Sequence, residues 1–145
     1  RIWEQIDLEK QRGTRIIISS HDPREAYRAD HLIHLHRGRI EYKGAPNALC
    51  AHFNLEVMQV SRPADSALLQ SLIDTIAKQF SILFTDISHD TLRVVITLAD
   101  AQAMPSISVG ESTYLVRWSA PNLEDGLRAA LLISDREKNT QAVTI

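Results

Sequence analysis

Apolar positions recur with two periods along this chain, and the changes from one period to the other mark out its elements. Ile2, Trp3 and Ile6 share one helical face, and charged or amide side chains fill most of the remainder up to Arg12, where Gly13 supplies a C-terminal stop. Thr14 to Ser20 (TRIIISS) then gathers β-branched residues without alternation, between Gly13 and the polar His21-Asp22-Pro23. That composition predicts a strand buried on both faces, as in a parallel sheet. Asp22-Pro23 opens a helix to about Ala29 or Asp30, with Pro23 at the first helical position and Glu25 in the first turn. His31 to His36 is apolar at Leu32, Ile33 and Leu35, and Arg37-Gly38 turns it into Arg39-Ile40-Glu41-Tyr42-Lys43, a hairpin closed by Gly44. Ala45 to Phe53 reads as a short helix.

A second set of elements follows. Leu55 to Val60 fits a strand. Leu69, Leu72, Ile73, Ile76, Ala77 and Phe80 follow i, i+3, i+4, i+7, i+8, i+11, the clearest amphipathic helix in the chain. Ser81 to Ile87 and Thr91 to Leu98 flank Ser88-His89-Asp90 as a hairpin, with Leu92, Val94, Ile96 and Leu98 alternating inward. A short helix is expected from Ala99 to Ala103, a strand from Thr113 to Ser119, and a last helical stripe at Leu123, Leu127, Ala130 and Leu131. Glu124 and Asp125 stand in the first turn of that stripe, where the helix dipole favours them. From Asp135 onward the chain is expected to be a mobile tail. The order β-α-β-β-α-β-α is similar to a ferredoxin-like module.

Composition narrows the classes. With 145 residues, 44% of them hydrophobic, and a net charge of −2, the chain fits a globular protein of one domain or two small ones. Residues 1–60 carry nine Lys/Arg and eight Asp/Glu, and residues 61–145 carry seven and ten, so neither part has the clustered basic charge of a nucleic-acid surface. The longest apolar run is Ala129 to Ile133, against the roughly 18 residues that a spanning helix requires, so direct membrane insertion is not expected. The opening Arg-Ile-Trp-Glu-Gln-Ile-Asp interleaves charge with apolar side chains, unlike a secretory leader. The single cysteine, Cys50, cannot form an internal disulfide, which fits a reducing, cytosolic compartment. Ser61-Arg62-Pro63 is the best candidate boundary between domains. The first residue is not Met, and the chain opens directly into helical pattern, as a piece of something longer would.

The stretch from Gly13 to Gly44 carries the chemistry, because it sets a histidine directly after an apolar strand and before a helix. In open parallel α/β sheets, ligands bind outside the carboxyl ends of strands, where His21 would lie. These residues resemble the C-terminal end of the ATP-binding subunit of ABC transporters. There a strand of the type I-I-I-S-S-H-D is followed by a helix with Glu-Ala near its start, a strand, and a hairpin of the type H-R-G-R-I with a closing glycine. The resemblance covers about residues 1–53. It implies that His21 is the switch histidine that contacts the γ-phosphate of ATP, with Asp22 its usual neighbour. An imidazole N–H aimed at that phosphate would help hold the attacking water and developing charge in line, and histidine can donate in either protonation state. The later stretch YLVRWSAPNLEDGLRAAL resembles the strand and P-x-L-E-D helix closing the accessory C-terminal domain of many drug, polysaccharide and ABC-2-type exporter ATPases, with Val116 to Leu131 as that element.

The departure from that family is large. The chain contains no G-x-x-x-x-G-K-S/T loop, no LSGGQ-like signature and no apolar strand ending in Asp-Glu, so it lacks the groups that cradle the phosphates and organise Mg²⁺. All three precede residue 1 in the family's order. The resemblance therefore implies an α/β fold in two parts: residues 1–60 as the C-terminal portion of a P-loop NTPase domain, and residues 61–145 as a small α+β ferredoxin-like accessory domain. ATP and Mg²⁺ would serve the intact parent and neither this chain alone, which should be inactive. A membrane permease subunit and a second ATP-binding domain would be the parent's partners, at the inner face of the membrane. The rival expectation is a non-enzymatic regulatory or dimerisation module centred on residues 61–145.

Plainer readings cover the remaining candidates. His31, His34 and His36 lack a cysteine or carboxylate placed to complete a metal site and fit a solvated or partner-facing strand edge. Arg24, Arg28, Arg37 and Arg39 are interleaved with Glu25, Asp30 and Glu41, the pattern of a solvated face. Trp118 and Tyr114 share a strand face and fit packing. Consecutive Ser20, His21 and Asp22 cannot form a hydrolase relay, because neighbours on a strand point to opposite faces. An interior strand at 14–20 without its neighbours would leave ladder bonds unmet, which predicts strand swapping or homo-oligomerisation.

Overall fold

The structure, a computed structural model, describes residues 2–97 and 104–142, with side chains as far as 136. α1 (Ile2–Gln11) ends at Gly13, whose φ of 85° is the left-handed conformation that closes many helices. None of its side chains is buried. Ion pairs tie it to the segment that follows: Lys10 to Asp30 at 2.7 Å and Arg28 to Asp7 at 3.0 Å, with the Arg28 guanidinium 4.6 Å over the Trp3 ring.

Thr14–Ser20 forms no strand. Every residue from 11 to 20 is exposed, Ile17 at 98%, and no backbone hydrogen bond is made by Arg15–His21 among the described residues. A strand buried on both faces requires neighbouring strands, and all strand pairs described here are antiparallel and lie elsewhere. The buried parallel strand expected from composition is thus corrected to an uncovered segment. The helix expected after it is also shorter. α2 (Pro23–Ala26) is a single turn, because Ala26 reaches the core while Tyr27 is exposed and Arg28 and Asp30 are drawn to α1.

β1 (Leu32–His36) and β2 (Arg39–Gly44) form the expected hairpin, turned at Arg37 and Gly38 with φ of 47° and 76°. The register shifts after His34, so that Glu41 is an extra residue on β2. Tyr42 is buried on the inner face and donates to the Ala45 carbonyl at 2.7 Å, whereas Ile33, Leu35 and Ile40 are exposed. A 3₁₀ turn (Pro46–Ala48) and α3 (Leu49–His52) complete this half.

β3 (Leu55–Ser61), α4 (Ser66–Ala77), β4 (Ser81–Ile87), β5 (Thr91–Thr97), β6 (Ser106–Val109), β7 (Ser112–Ser119) and α5 (Leu123–Ala142) follow. The five strands make one sheet in the order β4-β5-β3-β7-β6, every pair antiparallel. β3 is central, so the strand ahead of the Arg62-Pro63 break joins the elements after it. Alternation on β3 and β5 sends Met58, Val60, Leu92, Val94 and Ile96 to the face that meets Leu72 and Ile76 of α4. The opposite set, Leu55, Val57 and Val95 with Leu83 and Phe84, meets Ala129 of α5. A third cluster of Tyr42, Leu49 and Leu123 joins the hairpin, α3 and α5. Trp118 and Tyr114 pack on the α4 side, and Trp118 Nε1 donates to the Met104 carbonyl at 3.1 Å.

The helix expected at Ala99–Ala103 lies outside the described residues. α5 corrects the expectation of a mobile tail, since it continues to Ala142. Asp135 on it accepts from His36 Nε2 at 3.2 Å and pairs with Arg37 at 3.4 Å, and Arg136 donates to the Ile82 carbonyl at 2.9 Å. The chain is a mixed α/β structure with antiparallel sheets. Among the described residues no helix is long and apolar enough to cross a membrane.

Candidate functional site

His21 lies between the uncovered 14–20 segment and α2, exposed to solvent. What surrounds it is set by Asp22, the N-cap of α2. The Asp22 carboxylate accepts from the Arg24 amide at 2.9 Å and from its guanidinium at 2.8 Å, and Pro23 brings no N–H to the first turn. The Arg24 side chain first, and its amide second, hold the Asp22 carboxyl below the usual carboxylate range. Ser20 Oγ accepts from the Asp22 amide at 3.0 Å and bonds Glu25. The start of α2 is therefore filled by the chain's own carboxylate, and Asp22 and Glu25 set two negative charges against Arg24. This arrangement presents an exposed imidazole and, among the described residues, no phosphate cradle around it.

The other histidines divide between solvent and the inner face of the hairpin. His31 is exposed, while His34 and His36 are partly covered where α5 packs. His36 meets Asp135, and next to it the Ser134 hydroxyl donates to Glu41 at 2.8 Å. His34 Nδ1 is buried without a hydrogen-bond partner. Burial first, and the neighbouring His36 second, push the His34 pKa down, against a smaller opposing pull from Glu41. Among the described residues no group of three or more His, Cys, Asp or Glu side chains could hold a metal ion.

The densest polar constellation is one that sequence reasoning missed. Asp125, 4% exposed, takes Arg93 of β5 in a fork, with oxygen-nitrogen distances of 2.8 and 2.5 Å. Asp125 also accepts from the Asn122 amide at 2.8 Å, while Asn122 Oδ1 accepts from the Asp125 amide at 3.0 Å, a reciprocal cap on α5. Arg128 bonds Asp86 at 2.8 Å and lies 4.0 Å from the Phe84 ring centre. These side chains line an open cleft of about 270 Å³. Both arginines are matched by carboxylates, so the cleft acts as a strut that pins α5 to the sheet. The Asn122-x-x-Asp125 spacing was the signal available in the sequence. Compared with protein-family models, with curated proteins and with solved structures, the chain matches none of them.

Proposed function

We propose that this chain is the C-terminal portion of the ATP-binding subunit of an ABC-type exporter, with His21 as the histidine that contacts the γ-phosphate in the intact parent. The observation that supports it is Thr14–Ser20, a run with the composition of a buried strand that stands uncovered and without ladder partners. A strand parted from its sheet would have these properties, and His21 follows it directly. In the parent, closing the sheet would fix the imidazole at a strand's carboxyl end, where its N–H steadies developing phosphate charge. The groups that hold the phosphates and Mg²⁺ would come from residues ahead of Arg1, and this chain alone would not turn over ATP.

The later elements fit an accessory domain. The order β4-β5-β3-β7 with α4 crossing between β3 and β4 supports reading these elements as a ferredoxin-like module extended at one edge by β6. The cluster that α4 forms with one face of this sheet supports the second reading, a regulatory or dimerisation module that acts without ATP.

Reading the coding sequence upstream of Arg1 separates the two. A G-x-x-x-x-G-K-S/T loop there supports the transporter reading, and the longer polypeptide should then hydrolyse Mg-ATP with His21→Ala lowering turnover about a hundredfold. Absence of such a loop sinks the reading, as would micromolar Mg-ATP binding by the 145-residue chain.

A further inference from the structure

We propose that α5 is held on the inner face of the β1–β2 hairpin by a proton-sensitive joint, which opens from its Asp135 end when His34 becomes charged. This goes beyond the transporter reading and does not depend on it. The inner face of the hairpin carries Leu32, His34 and His36 of β1 with Glu41 and Tyr42 of β2. α5 is anchored to it at two places. Leu127 packs on the cluster that holds Tyr42, the residue opposite His34 in the hairpin. About two turns later Asp135 accepts from His36 at 3.2 Å and the Ser134 hydroxyl donates to Glu41 at 2.8 Å. His34 stands between these anchorages along β1, and its Nδ1 is buried without a hydrogen-bond partner.

A neutral imidazole at this position forfeits one hydrogen bond, whereas a charged one would set an N–H donor and a cation where no acceptor meets Nδ1. Among the described residues the titratable groups around His34 are His36 on its own strand, Glu41 on β2 and Asp135 on α5, which acts through its bond to His36. On α3, His52 stands against the Tyr42 ring. Burial first and His36 second outweigh the pull of Glu41, whose carboxylate is engaged by Ser134. His34 therefore stays neutral while the joint is closed and takes its proton more readily once water reaches it, so acid draws the joint open. Charging His36 works the other way, by strengthening its bond to Asp135. That gain is small, because Asp135 is 39% exposed and already shared with Arg37 at 3.4 Å, and a charged His36 further repels charge on His34. The Asp135 end is also the weaker end. Ser134 to Gln141 contains no apolar residue, so nothing there adds apolar burial to the polar contacts.

The test is nuclear magnetic resonance on the ¹⁵N-labelled 145-residue chain, following the heteronuclear NOE of the amides of residues 135–142 and the ring signals of His34 from about pH 7.5 to 5. At the upper limit these amides should be as ordered as those of β3 and β5. Below roughly pH 6.5 the opening constant should rise by up to about tenfold per pH unit, and the amides should become mobile in step with the titration of His34 while β3 and β5 keep their shifts. His34→Gln should keep the end of α5 ordered down to pH 5. Should that variant fold poorly, the coincidence of the two midpoints in the wild-type chain decides alone. The inference is overturned by an end of α5 already mobile at pH 7.5, or one still ordered after His34 has titrated. Equal loss of order in the wild-type chain and His34→Gln overturns it too, as does a collapse of the whole spectrum in one step. None of these outcomes bears on whether a phosphate-binding loop lies upstream.

Discussion

Replacing Asp125 with alanine should be among the most damaging single changes outside the apolar core. The carboxylate is nearly buried and takes three hydrogen bonds, two from Arg93 and one from the Asn122 amide. Its loss leaves Arg93 with Asp86 alone, at 3.4 Å, and with a side chain only 23% exposed. Removing one partner of a fully buried pair costs about 3–5 kcal/mol, and the residual exposure of Arg93 reduces this to roughly 2–3 kcal/mol. Breaking the reciprocal cap adds about 1 kcal/mol. The expected loss is therefore about 3–4 kcal/mol, read from urea unfolding followed by far-ultraviolet circular dichroism. The control is the double variant Arg93→Met with Asp125→Leu, which removes both charges and should recover all but about 1–2 kcal/mol, because no ion is left desolvated. A single-variant loss under about 1 kcal/mol, or a double variant worse than the single, would refute the account of the strut.

Two further predictions test the packing around α5. Gly126→Ala should destabilise although alanine is the better helix former by about 1 kcal/mol, because its Cβ would lie 2.8 Å from Leu49 Cγ and 3.1 Å from Cys50 Sγ. The net cost should be about 1–2 kcal/mol, with faster thiol labelling of Cys50 as α3 is displaced; an unchanged or raised midpoint contradicts this. For His34, a folded pKa below the unfolded value means that the unfolded chain binds more protons in the window between them. Stability contributed by His34 is therefore complete above about pH 6.5 and lost as pH falls below it. Substituting His34→Gln should flatten that part of the urea midpoint's pH dependence between roughly pH 7.5 and 5, and an identical slope in both proteins would exclude it.

Several elements were legible because their signals are local. The stripe from Leu69 to Phe80 becomes α4, and the alternation at Leu92, Val94 and Ile96 becomes the α4-facing side of β5. Other features depend on what lies nearby in space. The isoleucines at 16–18 have buried-strand composition, yet burial is a property of neighbours, and the described residues supply none. β6 escaped notice because Ser106-Ile107-Ser108-Val109 is short and half of it is serine; β7 beside it is what makes it a strand. The end of α5 lacks an apolar stripe and is anchored by Asp135 and Arg136 to residues far back in the sequence. Arg93 and Asp125 could each be read as a solvated charge, because nothing local brings a side chain on β5 to the start of α5.

The central place of β3 bears on how the molecule is made. It is the first strand of its sheet to be synthesised, and it pairs with β5 and β7, the farther register joining Val57 to Ser119. At about 5–20 residues per second on the ribosome, an interval of roughly 3–12 s separates the synthesis of these two residues. Through that interval Val57, Met58 and Val60 have one edge without a partner, and a contact of such sequence separation forms late in any case. Nascent chains stalled before β7 should thus be the species that chaperones hold or that aggregates capture, and the arrival of β7 should release them.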